Sequence, residues 1–231
     1  MRAACASSSG VSVRQRPLPV LILSRRRSLP HWERKFYHAL MGISCFWAYA
    51  YLIDRQTALW LLVTLGGSLV TFDALRFYWP KVNRVALRVF GKVMRREELK
   101  SLSGNSFYIA GLALIVWLFP KPIVLLAVIF LAVGDPAAAI IGTLYGKRRL
   151  IGKKSLEGAL ANFVVSGAAT MVVALAYFKM PISSSFALAL VGAFVSTISE
   201  LLPIPLDDNF TVPVVGACLL ATLNSFLHFF S

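Results

Sequence analysis

The sequence predicts an all-α membrane protein, a bundle of about seven transmembrane helices with its N-terminus in the cytoplasm. The first supporting observation is composition: of 231 residues, 58% are hydrophobic and 15% charged, and the mean hydropathy is +0.71. These values lie outside the usual range of soluble domains. The other two observations are a series of apolar segments separated by prolines and a very uneven distribution of lysine and arginine.

Residues 1–30 are expected to lie outside the membrane domain. They contain six arginines and no acidic residue, a composition typical of an organellar transit segment and equally of a basic cytoplasmic tail. Residues 31–231 are expected to form one membrane-embedded domain. Its apolar segments, each a predicted span, are 36–53, 57–72, 105–119, 123–145, 156–178, 186–202 and 210–230. Because several are shorter than the roughly 20 residues that cross a bilayer, five or six spans with a re-entrant segment is the alternative.

The distribution of basic residues predicts the orientation. Of the 24 lysines and arginines, all but Arg55, Lys121 and Lys179 fall in segments that seven spans place on the side of the N-terminus, and such residues are retained in the cytoplasm. All acidic residues except Asp54 fall on that side too, which the rule for basic residues does not require. We therefore expect a polar site at the cytoplasmic face that holds cations and a polyphosphate.

Gly134, Asp135 and Pro136 interrupt an otherwise apolar segment. An aspartate near the centre of a transmembrane helix costs about 2.5–3.5 kcal/mol, and proline disfavours helical geometry at the preceding residue. We therefore expect Asp135 at a break in the helix, where it contributes to a cation site. The alternative is a structural ion pair with a lysine.

Two further motifs carry candidate ligands. Lys153, Lys154 and Ser155 lie between two glycines at a predicted helix start, a position that favours phosphate, although a basic loop beside a span is also what topology requires. Asp207, Asp208 and Asn209 form a group of oxygen ligands suited to Mg²⁺; the alternative is that they cap a helix. Glu200 adds another acid at the end of an apolar segment, and Arg34, Lys35 and His38 are polar where topology does not require it. His38 either relays a proton or caps a polar edge.

The residues alone favour phosphoryl transfer to a membrane lipid, with no nucleic-acid partner. A transporter of an anionic solute is the competing class, because broken helices with charges also occur at transport sites. The charges, however, are concentrated towards one side, whereas transport sites commonly lie near the midplane.

Five ordered motifs resemble the CTP-dependent lipid kinases, which include diacylglycerol, phytol and dolichol kinases. The resemblance covers about residues 31 to 231, and its motifs are Arg34-Lys35 to His38, Met94-Arg95-Arg96-Glu97 with Ser103-Gly104 and Tyr108, Gly134-Asp135-Pro136, Lys153 to Gly158, and Asp207-Asp208-Asn209 with Thr211 and Pro213. The second motif is most similar to diacylglycerol kinases. The segment Lys154 to Gly158 also resembles phosphatidate cytidylyltransferases, the second choice among enzymes.

The resemblance implies phosphoryl transfer from CTP, with a divalent cation such as Mg²⁺, to a lipid hydroxyl, most simply that of diacylglycerol. On this hypothesis Asp135, Asp207 and Asp208 hold the metal, and Lys153 and Lys154 neutralise the transferred phosphoryl group. Glu200 or Asp208 takes the alcohol proton. The nucleotide and substrate would also contact Ser155, Glu157, Arg34, Lys35, His38 and Asn209. Compatible membranes are a bacterial inner membrane, the endoplasmic reticulum or a plastid membrane.

Overall fold

The computed structural model describes the backbone of residues 32–90 and 101–230, and the side chains of residues 35–89 and 101–230. The expected N-terminal segment 1–30 and the motif Met94-Arg95-Arg96-Glu97 lie outside these residues, as does the side chain of Arg34.

Within the described residues, helices account for all of the secondary structure except one short hairpin. The first half consists of α1 (Trp32–Trp47) with a π-helical continuation (Ala48–Leu52), then α2 (Arg55–Leu61), a π-helical segment (Leu62–Gly66) and α3 (Gly67–Tyr78), followed by α4 (Pro80–Phe90) and α5 (Gly104–Leu118). The second half consists of α6 (Lys121–Ile129), a π-helical segment (Phe130–Gly134) and α7 (Asp135–Tyr145), the strands β1 (Arg149–Ile151) and β2 (Lys154–Ser155), then α8 (Leu156–Ala176), α9 (Ile182–Leu201) and α10 (Asp208–Leu227).

Five of these helices are long and apolar enough to cross a membrane, namely Arg55–Tyr78, Lys121–Tyr145, Leu156–Ala176, Ile182–Leu201 and Asp208–Leu227. The all-α membrane fold is thus confirmed. The other two predicted spans correspond to α5, which has 15 residues, and to α1 with its π-helical continuation. Both are helical, and the count of seven spans stays a prediction.

The helix Lys121–Tyr145 forms the centre of the bundle. Side chains on every side of it are buried, including Val124, Leu125, Leu126, Phe130 and Leu131, all 0% exposed. A helix that is apolar around its whole circumference has to be enclosed by other helices. Here α1, α8 and α10 pack against it, so Asp135, which lies on this helix, is held in the interior of the protein.

The break expected at Asp135 is wrong. The chain stays helical, and Asp135 has helical backbone angles (φ −60°, ψ −47°). Its N–H donates to the carbonyl of Phe130, five residues earlier, so the preceding turn is a π-helix. Pro136 lies in the first turn of α7, where a missing N–H is tolerated. The wider turn accommodates the proline without ending the helix, and such turns are frequent at functional sites.

Small residues allow α7 and α8 to approach closely. A Cβ added at Gly158 would lie 2.7 Å from the carbonyl oxygen of Ala138, and one added at Gly142 would lie 3.1 Å from Oγ of Ser155. Such glycines let helix backbones pack directly in membrane proteins. The contact places the start of α8 beside α7, close to Asp135.

Candidate active site

Charged residues from four helices and the hairpin meet at one end of the bundle. Lys35 comes from α1, Asp135 from α7 and Lys154 from β2, while Glu200 and Asp208 come from the end of α9 and the start of α10. All five were predicted as site residues. The structure brings them together because α9 ends and α8 and α10 begin at this end.

Lys35 and Asp135 form an ion pair across 100 residues of sequence. The distance from Nζ to Oδ2 is 2.9 Å, and the side chains are 22% and 11% exposed. The pair matches the structural alternative for Asp135, and it also places a lysine of the predicted binding set beside the predicted catalytic acid. A charge this deep needs a partner, and the contact supplies one.

Lys154 lies between two carboxylates. Its Nζ is 3.6 Å from Oε1 of Glu200 and 3.5 Å from Oδ1 of Asp208, and it donates a hydrogen bond to the carbonyl of Glu200. Asp135 is close enough to interact electrostatically with both acids. The arrangement is a cluster of three carboxylates and two ammonium groups, which we call the charged cluster: Lys35, Asp135, Lys154, Glu200 and Asp208.

One atom of the charged cluster is available for a ligand. Within the described part of the chain, Oε2 of Glu200 is buried and has no hydrogen-bond partner, and the residue is 7% exposed. A buried carboxylate oxygen without a donor is costly in an apolar surrounding. Binding of a cation or of a hydroxyl donor would remove that cost.

Other predicted ligands hold the local structure. Ser155 is the N-cap of α8, and its side chain accepts a hydrogen bond from the Gly158 N–H at 3.2 Å. The Glu157 carboxylate accepts hydrogen bonds from the N–H groups of Lys147 and Arg148, at 3.1 and 3.3 Å, and so fixes the basic loop. The side chain of Lys153 is exposed.

The three residues of the motif Asp207-Asp208-Asn209 make different contacts. Asp207 is the N-cap of α10, and its side chain accepts a hydrogen bond from the Asn209 N–H at 3.0 Å, as the capping alternative predicted. Asn209 is buried and donates from Nδ2 to the Gly104 carbonyl at 3.0 Å. Asp208 lies between these anchored residues and is the one that reaches Lys154.

His38 lies in α1 one turn after Lys35 and is 5% exposed. Its ring packs edge-on against Tyr108 of α5, with 5.3 Å between the ring centroids. The contact joins two segments that carry the sequence motifs, and it places His38 next to the charged cluster along α1.

No group of three or more His, Cys, Asp or Glu side chains among the described residues is close enough to hold a metal ion by itself. Mg²⁺ does not require such a group, because it is usually bound by one or two carboxylates together with substrate phosphates and water. The oxygen-rich charged cluster and the unpartnered Glu200 oxygen fit that mode of binding.

The comparison with known proteins decides the family. The chain is 31% identical over 214 residues to CTP-dependent diacylglycerol kinase 1 of Saccharomyces cerevisiae, which covers 84% of this chain and 73% of the yeast protein. The chain belongs to the CTP-dependent diacylglycerol kinases. It is also 34% identical over 161 residues to the kinase of the same name from Schizosaccharomyces pombe, covering 65% of this chain and 73% of that one. The corresponding protein of Eremothecium gossypii is 30% identical over 213 residues, covering 84% and 67%.

No protein-family model matches the chain. No solved structure matches it either. Membership of the diacylglycerol kinases confirms the family expected from the five sequence motifs.

A buried polar cluster beneath Asp135 in this kinase was missed from the sequence. The Asn162 Oδ1 accepts hydrogen bonds from the hydroxyls of Ser166 and Ser196, at 2.9 and 2.7 Å, and all three residues are 0% exposed. Gly134, one residue before Asp135, packs directly on them. The available signal was the polar spacing in α8, where Asn162, Ser166 and Thr170 recur every four residues and so share one face of an apolar helix.

Proposed function

We propose that this protein transfers the γ-phosphoryl group of CTP to the hydroxyl of diacylglycerol, forming phosphatidate and CDP. The observation that carries the proposal is the charged cluster, in which four residues from the sequence motifs of the family meet Glu200 at one end of the bundle. Family membership supplies the donor and the acceptor, because nothing in the cluster itself reads a nucleotide base.

In this mechanism the lysines act on the phosphates. Phosphoryl transfer needs positioning and stabilisation of the charge on the transferred group. Lys154 is held at 3.5–3.6 Å from two carboxylates rather than free in solvent, so its ammonium group is oriented before the nucleotide arrives. Lys35 is held in the same way by Asp135. Lys153 and the side chains of Arg34 and His38 are further proposed contacts of the substrates.

Glu200 is the proposed general base. Its Oε2 is buried without a hydrogen-bond partner within the described residues, so it can accept the proton of the lipid hydroxyl as the oxygen attacks the γ-phosphorus. The bond from that phosphorus to the β,γ-bridging oxygen breaks, and CDP leaves. Asp208 is the alternative base, because it faces the same lysine.

Mg²⁺, when bound, would neutralise phosphate charge and align the triphosphate. The proposed ligands are drawn from Asp135, Asp207 and Asp208, of which one or two would bind the ion together with substrate phosphates. Asp207 would bind the ion from its position as the N-cap of α10. Ser155, Glu157 and Asn209 would support nucleotide binding by fixing the hairpin and the start of α10.

The distribution of charge supports a cytoplasmic site. The charged cluster lies at one end of the helices, whereas Arg55 and Lys121 contact backbone carbonyls at the opposite ends of α5 and α1, those of Val116 and Ala50. We propose that the charged cluster faces the cytoplasm and that the lipid enters sideways between helices with its hydroxyl at this boundary.

The deciding experiment gives purified protein in detergent micelles CTP labelled at either the α- or the γ-phosphate, together with diacylglycerol, phytol or a polyprenol. Label from the γ position in phosphatidate is expected. Label from the α position would instead identify a cytidylyltransferase, and phosphorylated phytol or polyprenol without phosphatidate would refute diacylglycerol as the acceptor.

An aspartate variant tests the placement of the site. Asp135→Asn is expected to lower kcat by at least about 100-fold, as removal of one electrostatic catalytic contact does in other enzymes. Asp54→Asn, at the opposite end of the bundle, is the matched control and should keep near-normal activity. Full activity of Asp135→Asn would remove Asp135 from the site.

A further inference from the structure

An apolar cavity of about 240 Å³ lies away from the charged cluster, between α1, α2, α3, α5 and α6. One wall comes from α1 and its continuation, with Cys45 and Ala48, and the opposite wall includes Leu62. α5 contributes Ile109 and Leu112. We call this cavity the apolar groove.

The two walls of the apolar groove share an unusual feature. Both contain a π-helical segment, Ala48–Leu52 in one and Leu62–Gly66 in the other, and residues of both segments line it. A π-helical turn is wider than an α-helical turn and displaces the residues around it. The groove is therefore built by the backbone of two helices and is not merely a gap left by small side chains.

The apolar groove continues the charged cluster along two helices. On α1, Lys35 and His38 lie at the cluster and Cys45 at the groove; at 1.5 Å per residue, Lys35 and Cys45 are about 15 Å apart along the helix. On α5, Tyr108 packs against His38, and the next residue, Ile109, lines the groove. A lipid with its hydroxyl at the cluster would therefore direct its chains towards the groove.

We propose that the apolar groove binds the distal part of one acyl chain of the diacylglycerol substrate, and so makes the enzyme selective for long chains. The inference rests on the proposed function. The groove is larger than the roughly 150 Å³ cavity that holds benzene and smaller than most pockets for whole ligands, so it fits part of a chain. The groove lies about 15 Å from Lys35 along α1. With the lipid hydroxyl at the charged cluster, the glycerol and the first carbons of the chain therefore cannot reach the groove.

Filling the groove tests the proposal. Leu62→Trp places a larger side chain in one wall, and Ala48→Phe does so independently in the other. Val63→Trp is the matched control, because Val63 is adjacent to Leu62, is 60% exposed and is absent from the lining. The measurement is kcat/KM with CTP for dioleoylglycerol and for dioctanoylglycerol, whose chains are less than half as long.

In the wild type, dioleoylglycerol should be the better substrate. Both filling variants should lower the ratio of kcat/KM for dioleoylglycerol over dioctanoylglycerol by about tenfold or more, the scale of discrimination in apolar pockets, while Val63→Trp leaves it unchanged. An unchanged ratio in both filling variants, an equal loss with both lipids, or the same shift in Val63→Trp would overturn the proposal. Wild-type protein that phosphorylates neither lipid would refute the proposed function instead.

Discussion

Lys154 determines the charge balance of the proposed active site. It is the only described cation in contact with Glu200 and Asp208, and the Lys35 ammonium is occupied by Asp135. Truncation of one partner of a partly buried ion pair leaves the other charges uncompensated. The role of Lys154 is therefore separable from that of Lys147, Arg148 and Arg149, which topology alone explains.

The neighbouring lysines of the hairpin give a matched comparison. Lys154→Met should reduce kcat/KM for CTP by about 100-fold or more, because it removes the charge facing the phosphates. Lys153→Met removes an equal charge from an exposed position and should have a much smaller effect. Steady-state kinetics with γ-labelled CTP checks both, and equal losses in the two variants would show that only the net charge of the loop matters.

Individual site residues were predictable from the sequence where their position was anomalous. Asp135 was found because a charge in an apolar helix is expensive, and Glu200 because it ends one. The ion-pair partners of these residues could not be predicted. Lys35 and Asp135 are 100 residues apart, and the sequence around each of them gives no indication of the contact. Asp207 and Asp208 are adjacent and look alike in sequence, yet one caps a helix and the other faces Lys154.

At the scale of the helices, the packing of Gly134 against α8 and α9 determines the position of Asp135. A Cβ at position 134 would lie 2.8 Å from Asn162 Oδ1 and 2.9 Å from Ser196 Oγ, and would collide with Ser166 Oγ. These groups are fully buried, so they cannot move aside into solvent. Any side chain at position 134 must push α7 away from α8 and α9.

Gly134→Ala is expected to lower kcat by about 100-fold, because a displacement near 1 Å is enough for such a loss. Ser166→Ala in the same protein removes the closest atom and should restore part of the activity. Gly67→Ala, where nothing lies within 4 Å of the added Cβ, serves as the control. The kcat of each variant is measured on its folded, monodisperse fraction. Equal kcat values for Gly134→Ala and Gly67→Ala would contradict the packing argument.

A buried ion pair joins α3 to the start of α5. Asp73 Oδ1 is 2.6 Å from Arg76 Nε, a contact that their i, i+3 spacing on one helix favours. Asp73 Oδ2 accepts hydrogen bonds from the Ser103 N–H and the Ser106 hydroxyl at 2.6 and 2.8 Å. Arg76 also donates to the Ser101 carbonyl. Asp73 thus caps α5 from another helix and fixes the segment in which Gly104 binds Asn209.

Asp73→Asn should destabilise the protein by about 3–5 kcal/mol, the usual cost of breaking a buried pair. Asp54→Asn, at an exposed N-cap, should cost less. Unfolding of both variants in the same detergent, followed by circular dichroism, gives the comparison. A midpoint for Asp73→Asn no lower than that for Asp54→Asn would show that the pair does not stabilise the bundle.

The apolar helices were predicted well, and the features between and within them were not. Hydropathy located 123–145 and 156–178 within a few residues of the observed helices. It could not reveal α4, which is amphipathic and basic and lies between two predicted spans, or the hairpin of β1 and β2. The π-helical segments were missed because a shift from a four-residue to a five-residue hydrogen bond leaves the composition unchanged.

For the molecule as a whole, the arrangement of charge predicts a fixed orientation in the membrane. In a background without cysteine, Arg148→Cys should react with a membrane-impermeant maleimide only from the cytoplasmic side, and Gln56→Cys only from the opposite side. Both positions are exposed. Labelling of intact and permeabilised cells or vesicles measures this, and reaction of both cysteines from the same side would rule out the proposed topology.

The charged cluster also affects the step after chemistry. It contains three carboxylates and two lysines, so its net charge is negative once the nucleotide and its cation have left and Glu200 has released the proton that it accepted. The new phosphomonoester carries about −1.5 to −2 charges near pH 7, so its binding to the negatively charged cluster is electrostatically unfavourable. Electrostatic repulsion would thus expel phosphatidate into the bilayer, and we expect product inhibition to be weak at low ionic strength.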